Sequence, residues 1–273
     1  MTLTGRDAAA RAACIAPATT LFAAFWLLPM TRLVALPASK GWANYFAVLT
    51  EGRYFVSLLQ TLALSGAVTA VCLLLAAAVG LALGRQRFAG RRGLLALLTL
   101  PLSFPGVIVG FFVILIGGRQ GPVADFTEAW MGTRVTFAYG LGGLFVAYLY
   151  FSLPRAVAAF TAAAESIDPQ LEEAARSLGA SGWLLARDVW LPCLAPAAVA
   201  VGAIVFATSM GAFGTAFTLS SRYEVLPITI YNEFTNYANF ALAASLSLVL
   251  GLMTWLALFT ARQFSPTALG AGA

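Results

Sequence analysis

Histidine is absent from this chain of 273 residues, and only 10% of the residues are charged. The first absence removes the commonest general base and the commonest metal ligand. The second excludes an ordinary soluble domain, in which about 25% of residues carry charge. Cysteine is scarce and scattered: Cys14, Cys72 and Cys193 form no CxxC pair. Neither a disulfide framework nor a metal site is indicated. No Gly-x-x-x-x-Gly-Lys-Ser/Thr phosphate loop occurs, so the chain should bind no ATP or other cofactor itself. There is no linker, low-complexity tract or internal repeat, although inverted or parallel repeats are common in secondary transporters.

What fills the chain is apolar: 60% of residues are hydrophobic, and the mean hydropathy is +0.86. The fold class that follows is all-α, a polytopic membrane protein. Segments of roughly 20 apolar residues can cross a bilayer, and six are present: about Ala13–Leu36, Phe55–Gly84, Leu94–Ile116, Thr136–Ala159, Leu194–Leu219 and Phe240–Ala261. The first apolar run has no clear small-residue cleavage site and reads as a retained span. We expect an N-terminal helix and outer segment over 1–54, a five-helix core over 55–262, and a short tail over 263–273. Lys and Arg distribution sets orientation. Arg6, Arg11, Arg85, Arg87, Arg91, Arg92, Arg155, Arg176, Arg187 and Arg262 fall on one side. Arg32, Lys40, Arg53, Arg119, Arg134 and Arg222 fall on the other. The richer side should be cytoplasmic, with both termini inside. The net charge of +5 sits in short loops, which suits anionic lipid rather than nucleic acid.

No Asp or Glu falls in the middle of an expected span, and Arg32, Arg155 and Arg262 lie near span ends, where they can snorkel. An ion-gradient-driven secondary transporter is the alternative class, and it would place ionisable groups inside its spans. An intramembrane enzyme would need proton-transfer groups that are missing here.

One polar island interrupts the second half of the chain, from Asp168 to Pro192. Asp168 can be an N-cap, and Pro169 suits the first helical position. Glu172 and Glu173 sit early, where carboxylates favour the helix dipole. Leu171, Ala174, Ala175 and Leu178 make a narrow apolar stripe. Gly179 stands where the chain must often turn through positive φ. The spacing predicts a helix of about ten residues, and Ser181 can cap a second short helix ending before Pro192. Such a helix either rests on its own protein or lies in a groove on another.

Glu173-Ala174-Ala175, then Gly179, then Val189-Trp190-Leu191-Pro192 resemble the EAA loop of ATP-binding-cassette (ABC) importer permeases, with Val189 where Ile is usual. The resemblance runs from the second span to the sixth. It implies that the 165–192 loop is a cytoplasmic coupling helix. Leu171, Glu173, Ala174, Ala175, Leu178, Gly179 and Pro192 would then be its ATPase-coupling residues. It also implies a bacterial inner-membrane location and a set of partners: an ATPase dimer that binds the ATP, a second permease chain, identical or homologous, and a periplasmic solute-binding protein.

Pro101 and Pro105 interrupt the third span beside Ser103 and Gly106, which suits either a bent pore-lining helix or a kinked packing helix. The small and hydroxyl residues Thr208-Ser209-Met210-Gly211-Ala212-Phe213-Gly214-Thr215 suit helix packing as well as a pathway. They are similar to the Gly-x-Phe-Gly segment of oxyanion permeases, in which the middle position is often Glu and here is Ala212. We assign Ser103, Pro105, Ser209, Met210, Phe213 and Thr215 to the translocation pathway as an expectation. Leu226-Pro227 followed by Ile230-Tyr231 resembles a segment of spermidine/putrescine-type and related permeases. Similar family groups import polyamines, 2-aminoethylphosphonate, ferric iron and oxyanions; the segment implies a polyamine such as spermidine or putrescine, with 2-aminoethylphosphonate as the other cargo. Glu224 and Glu233 in the same loop read as exposed carboxylates, either solvated or available to a cationic solute or a lysine-bearing binding protein.

Overall fold

The computed structural model describes residues 15–220 and 223–264; Cys14, Arg6, Arg11 and Arg222 lie outside the described residues. All regular structure among these residues is helical. Six helical stretches are long and apolar enough to cross a bilayer. Contacts divide the chain into two units, one drawn from within 1–55 and 230–249, the other from within 56–229 and 250–273.

The smaller unit holds α1 (Ile15–Ser39) and the start of α2 (Gly52–Arg85). Here the expectation for Glu233 fails. Its side chain is 4% exposed, and its carboxylate accepts a hydrogen bond from the Tyr54 hydroxyl at 2.9 Å. Burial of a carboxylate requires such a partner. Ser245 donates to the Asn44 carbonyl at 2.6 Å in the same unit.

The larger unit continues along α2. After a turn at Gly90, α3 (Arg91–Thr99) follows, then a 3₁₀ turn (Leu100–Ser103), α4 (Gly106–Gly117) and α5 (Pro122–Met131). The third span is therefore not one bent helix from 94 to 116. Phe104 is extended, with ψ 130°, because the ring of Pro105 disfavours the helical conformation in the residue before it. The crossing segment lies further along, at Gly106–Met131. Its two parts meet at Gly118–Gly121, and Pro122 opens α5 in what the sequence suggested was loop.

Next come α6 (Leu141–Glu165), α7 (Pro169–Ser177) and α8 (Gly182–Met210). The second short helix does not stop before Pro192. A π-helical turn at Ala186–Trp190 carries it directly into the fifth span. A wider turn accommodates a residue that lacks an N–H. The fifth span then breaks at Gly211–Ala212, and α9 (Phe213–Leu219) follows. After α10 (Leu226–Tyr231), α11 (Phe240–Phe264) ends the described chain.

Small residues let these helices touch. A Cβ placed on Gly80 would lie 2.5 Å from the Phe160 Cβ, and one on Gly84 would lie 2.6 Å from the Ala164 Cβ. This Gly-x-x-x-Gly face brings the α2 and α6 backbones together, as small residues do where no hydrophobic force drives helix association. Gly106 and Gly110 receive Thr215 and Thr218 of α9 in the same way, and Gly214 receives Val107. Val68, Cys72, Ala76, Leu144, Val157 and Phe160 fill the interior between them.

Candidate functional site

The polar island folds as its local chemistry dictates. The Asp168 side chain caps α7 by accepting from the Gln170 N–H at 2.9 Å. At the other end Gly179 takes φ 79°. The Gly179 N–H reaches the Arg176 carbonyl at 2.9 Å, and the Ala180 N–H reaches the Ala175 carbonyl at 3.0 Å. These two bonds are those of a Schellman motif. An added Cβ at Gly179 would meet nothing within 4 Å, so conformation rather than space demands glycine there. Ser181 caps the start of α8 by accepting from the Leu184 N–H at 3.4 Å.

The faces of α7 are inverted relative to an ordinary surface helix. Its apolar stripe points away from the chain: Leu171 is 50% exposed and Leu178 is 90% exposed, with Trp183 just beyond at 75%. Ala174 and Glu173 are exposed as well, and Ala175 is half-buried. Pro192 is exposed at the root of the loop.

Glu172 faces inward, and the sequence reading did not single it out. One oxygen of its carboxylate accepts from Arg85 Nε at 2.6 Å and from Trp190 Nε1 at 2.8 Å, and Arg85 Nη2 closes an ion pair on the same atom. Arg85 Nη1 also donates to the Ile167 carbonyl at 3.1 Å. One half-buried carboxylate thus joins the end of α2, the α6–α7 connection, α7 and the start of α8. Next to it Arg91 pairs with Glu165 and donates from Nε to the Leu83 carbonyl at 2.7 Å. Arg85, Arg91, Glu165 and Glu172, with Arg87 and Arg92, line an open cavity of about 1020 Å³ beside the loop. The signal available in the sequence was the basic run after α2; nothing in it paired residue 85 with 172.

A second cavity, of about 390 Å³, lies where the helices break. Gly106 opens it from α4, Tyr148, Phe151 and Ser152 from α6, and Thr208, Ser209, Ala212 and Thr215 from the break between α8 and α9. The Tyr148 hydroxyl donates to the Ala212 carbonyl at 3.0 Å, which satisfies an acceptor freed by the break. Ser209 Oγ is buried without a hydrogen-bond partner. Of the expected pathway residues, Ser209 and Thr215 meet in this lining. Met210 is fully buried in packing. Phe213 stands at the start of α9 with its ring 5.5 Å from that of Phe217. Ser103 and Pro105 are exposed in the extended break, outside the lining.

Arg155 lies further from the end of its helix than the expected span over 136–159 suggested. Helix α6 continues ten residues past it to Glu165, about 15 Å at 1.5 Å per residue. Its guanidinium lies 5.4 Å from the Phe151 ring, and among the described residues it forms no ion pair with a carboxylate. A cation held near the centre of a spanning helix and facing lipid would cost about 2.5–3.5 kcal/mol or more.

Comparison with known proteins agrees with this architecture. Residues 76–266 match the family model described as the binding-protein-dependent transport system inner membrane component. The chain is 32% identical over 221 residues to the molybdenum transport system permease protein ModB of Mycobacterium bovis, covering 80% of this chain and 83% of that one. It is 32% identical over 245 residues to the sulfate transport system permease protein CysT of Escherichia coli K12, covering 84% and 86%. The fold is similar to a chain in the crystal structure of a bacterial alginate ABC transporter in complex with an alginate pentasaccharide-bound periplasmic protein. The TM-score is 0.79 at 20% identity, over 95% of this chain and 94% of that one. With six apolar spans, a capped polar loop and a match over most of its length, the chain belongs to the family of binding-protein-dependent transport system inner membrane components. It is a multi-pass permease subunit of an ABC importer and not an enzyme.

Proposed function

We propose that this permease carries an oxyanion of the molybdate or sulfate class, delivered by a periplasmic binding protein and driven by an ATPase dimer that grips α7. The observation that carries the driving role is the inverted helix: an apolar stripe held outward while Glu172 anchors the other face. A protein groove is the occupant that such a stripe fits. In this reading Leu171, Ala174, Leu178 and Trp183 enter the ATPase, and the exposed Glu173 meets its rim. Closure of the ATPase pair on ATP moves α7. The Arg85–Glu172–Trp190 joint passes that motion to α2 and α8, and the Gly211–Ala212 break lets the cavity open to either side. Ser209 and Thr215 line the pathway, with Phe213 near its edge; Ser103 and Pro105 contribute the break rather than the wall. A second permease chain, identical or homologous, supplies the opposite wall.

Orientation follows the basic residues. With Arg155 moved into the membrane, nine Lys and Arg remain on the loop side against six on the other, so the loop and both termini face the cytoplasm. The arginines beside the loop then meet anionic lipid.

The cargo reading rests on the named cargoes of the relatives and replaces the polyamine and aminophosphonate expectation. The segment behind that expectation is packing. Leu226 and Thr229 are fully buried; the Leu226 N–H donates to Thr61 Oγ1 at 2.8 Å, and the Thr229 hydroxyl is bonded to Ser57 at 2.8 Å. The test is uptake into proteoliposomes holding the chain, its ATPase and its binding protein. ATP-dependent accumulation of labelled molybdate or sulfate, with none of putrescine or 2-aminoethylphosphonate, is the expected result. Accumulation of putrescine instead would return the cargo to the polyamine class. Uptake on an ion gradient without any ATPase would remove the importer mechanism altogether.

A further inference from the structure

We propose that Arg155 is the anion-selecting residue of the translocation pathway. This rests on the oxyanion reading above and extends it to a specific group. Tyr148, Phe151, Ser152 and Arg155 fall at i, i+3, i+4 and i+7 on one face of α6. The first three line the cavity of about 390 Å³. Arg155 lines a smaller one of about 60 Å³, and the two share Ser152 and Thr208 in their walls. No charged side chain lines the larger cavity, so Arg155 is the one formal charge along the combined surface.

The side chain is exposed and deep within a spanning helix, with nine uncharged residues between it and Glu165. A cation in that position is tolerated facing a watery cavity rather than lipid. Its planar fork can take two oxygens of a tetrahedral oxyanion at once. The hydroxyl of Ser152 stands beside it as a further donor, while that of Thr208 donates to the Ile204 carbonyl at 2.8 Å. Between cargoes the guanidinium rests against the Phe151 ring, a contact weak enough to exchange for an anion. A polyamine would meet like charge at the same point.

The test uses the complete importer in proteoliposomes, with Arg155→Gln and Arg155→Lys. Loss of one charge-assisted contact predicts about a ten- to hundredfold fall in molybdate or sulfate uptake for Arg155→Gln. Binding-protein-stimulated ATP hydrolysis should stay within about twofold, and Arg155→Lys should recover most of the uptake. Uptake by Arg155→Gln equal to that of the parent overturns the inference while leaving the oxyanion reading intact. Failure of the parent to carry either oxyanion overturns both. Equal loss in Gln and Lys variants, with ATP hydrolysis lost too, marks a structural role and also overturns it. A second measurement needs no cargo. Ser152→Cys, with Cys193→Ala, should react faster with an anionic than with a cationic thiosulfonate, and Arg155→Gln should abolish that preference. An unchanged preference overturns the inference.

Discussion

The loop at 168–192 and the cavity at the helix breaks are both polar interruptions of an apolar chain, and they are built in opposite ways. In the loop, charge turns inward to hold the element and apolar side chains turn outward. In the cavity, backbone breaks and hydroxyls turn inward, and a single cation stands at the side. The opposite constructions suit the two proposed roles: a surface that grips a protein has to be rigid and greasy, and a passage that must release its cargo has to be weakly attractive and able to bend.

Six substitutions at five positions probe that contrast, in falling order of expected effect. Leu178→Asp should abolish co-purification of the ATPase. An exposed anchor at a protein interface is worth about 2 kcal/mol or more, roughly thirtyfold in affinity. If the ATPase stays bound, the outward stripe is not the gripping surface. Next, Glu172→Gln should leave the ATPase attached but cut uptake per ATP hydrolysed by about tenfold. The weakened joint should also lower folded-state stability by about 1–2 kcal/mol, a figure reduced from the buried-pair value because both side chains are nearly one-fifth exposed. Glu173→Gln should spare stability, because that side chain is exposed; equal effects at both positions would erase the distinction between inward and outward carboxylates. Gly80→Val should cost about 1–3 kcal/mol by forcing α2 from α6, read as a lower thermal midpoint in detergent. Smallest, Gly179→Ala and Gly179→Trp should each cost about 1–2 kcal/mol at the α7 terminus, and by similar amounts, since positive φ and not crowding is the constraint. A much larger loss for Trp would mean that the bound ATPase closes over this turn.

The same contrast explains what could be read before any coordinates. The Asp168 cap, the Pro169 start and the Gly179 stop are decided by neighbours within a few residues, and all three stand as their chemistry suggested. The number of spans follows from hydropathy alone, although the third lies at Gly106–Met131 and not over 94–116. Breaks are harder, because a proline marks where a helix is weakened and not which residue gives way. Phe104 rather than Pro101 carries the extended turn. Pro192 and Pro196 are absorbed into α8 with only a π turn before them. Pairings distant in sequence were beyond reach: choosing Glu172 over Glu173 for the inward role needs Arg85, 87 residues away. The place of Arg155 along its helix was hidden for a related reason. Its distance from the helix end depends on α6 running on to Glu165 through alanines that give no stop signal.

The contact at Gly80 and Gly84 limits how this permease can move. Where two backbones meet with no side chain between them, one helix cannot slide along the other without lifting a Phe160 or an Ala164 over the ridge. Shear between α2 and α6 is therefore blocked, and the pair turns as one beam. Arg85 at the end of α2 also holds Glu172, so in the proposed coupling a tilt imposed on α7 reaches that beam through this one joint. Under the proposed coupling, access would switch by rotation of this paired beam and not by sliding of α2 along α6.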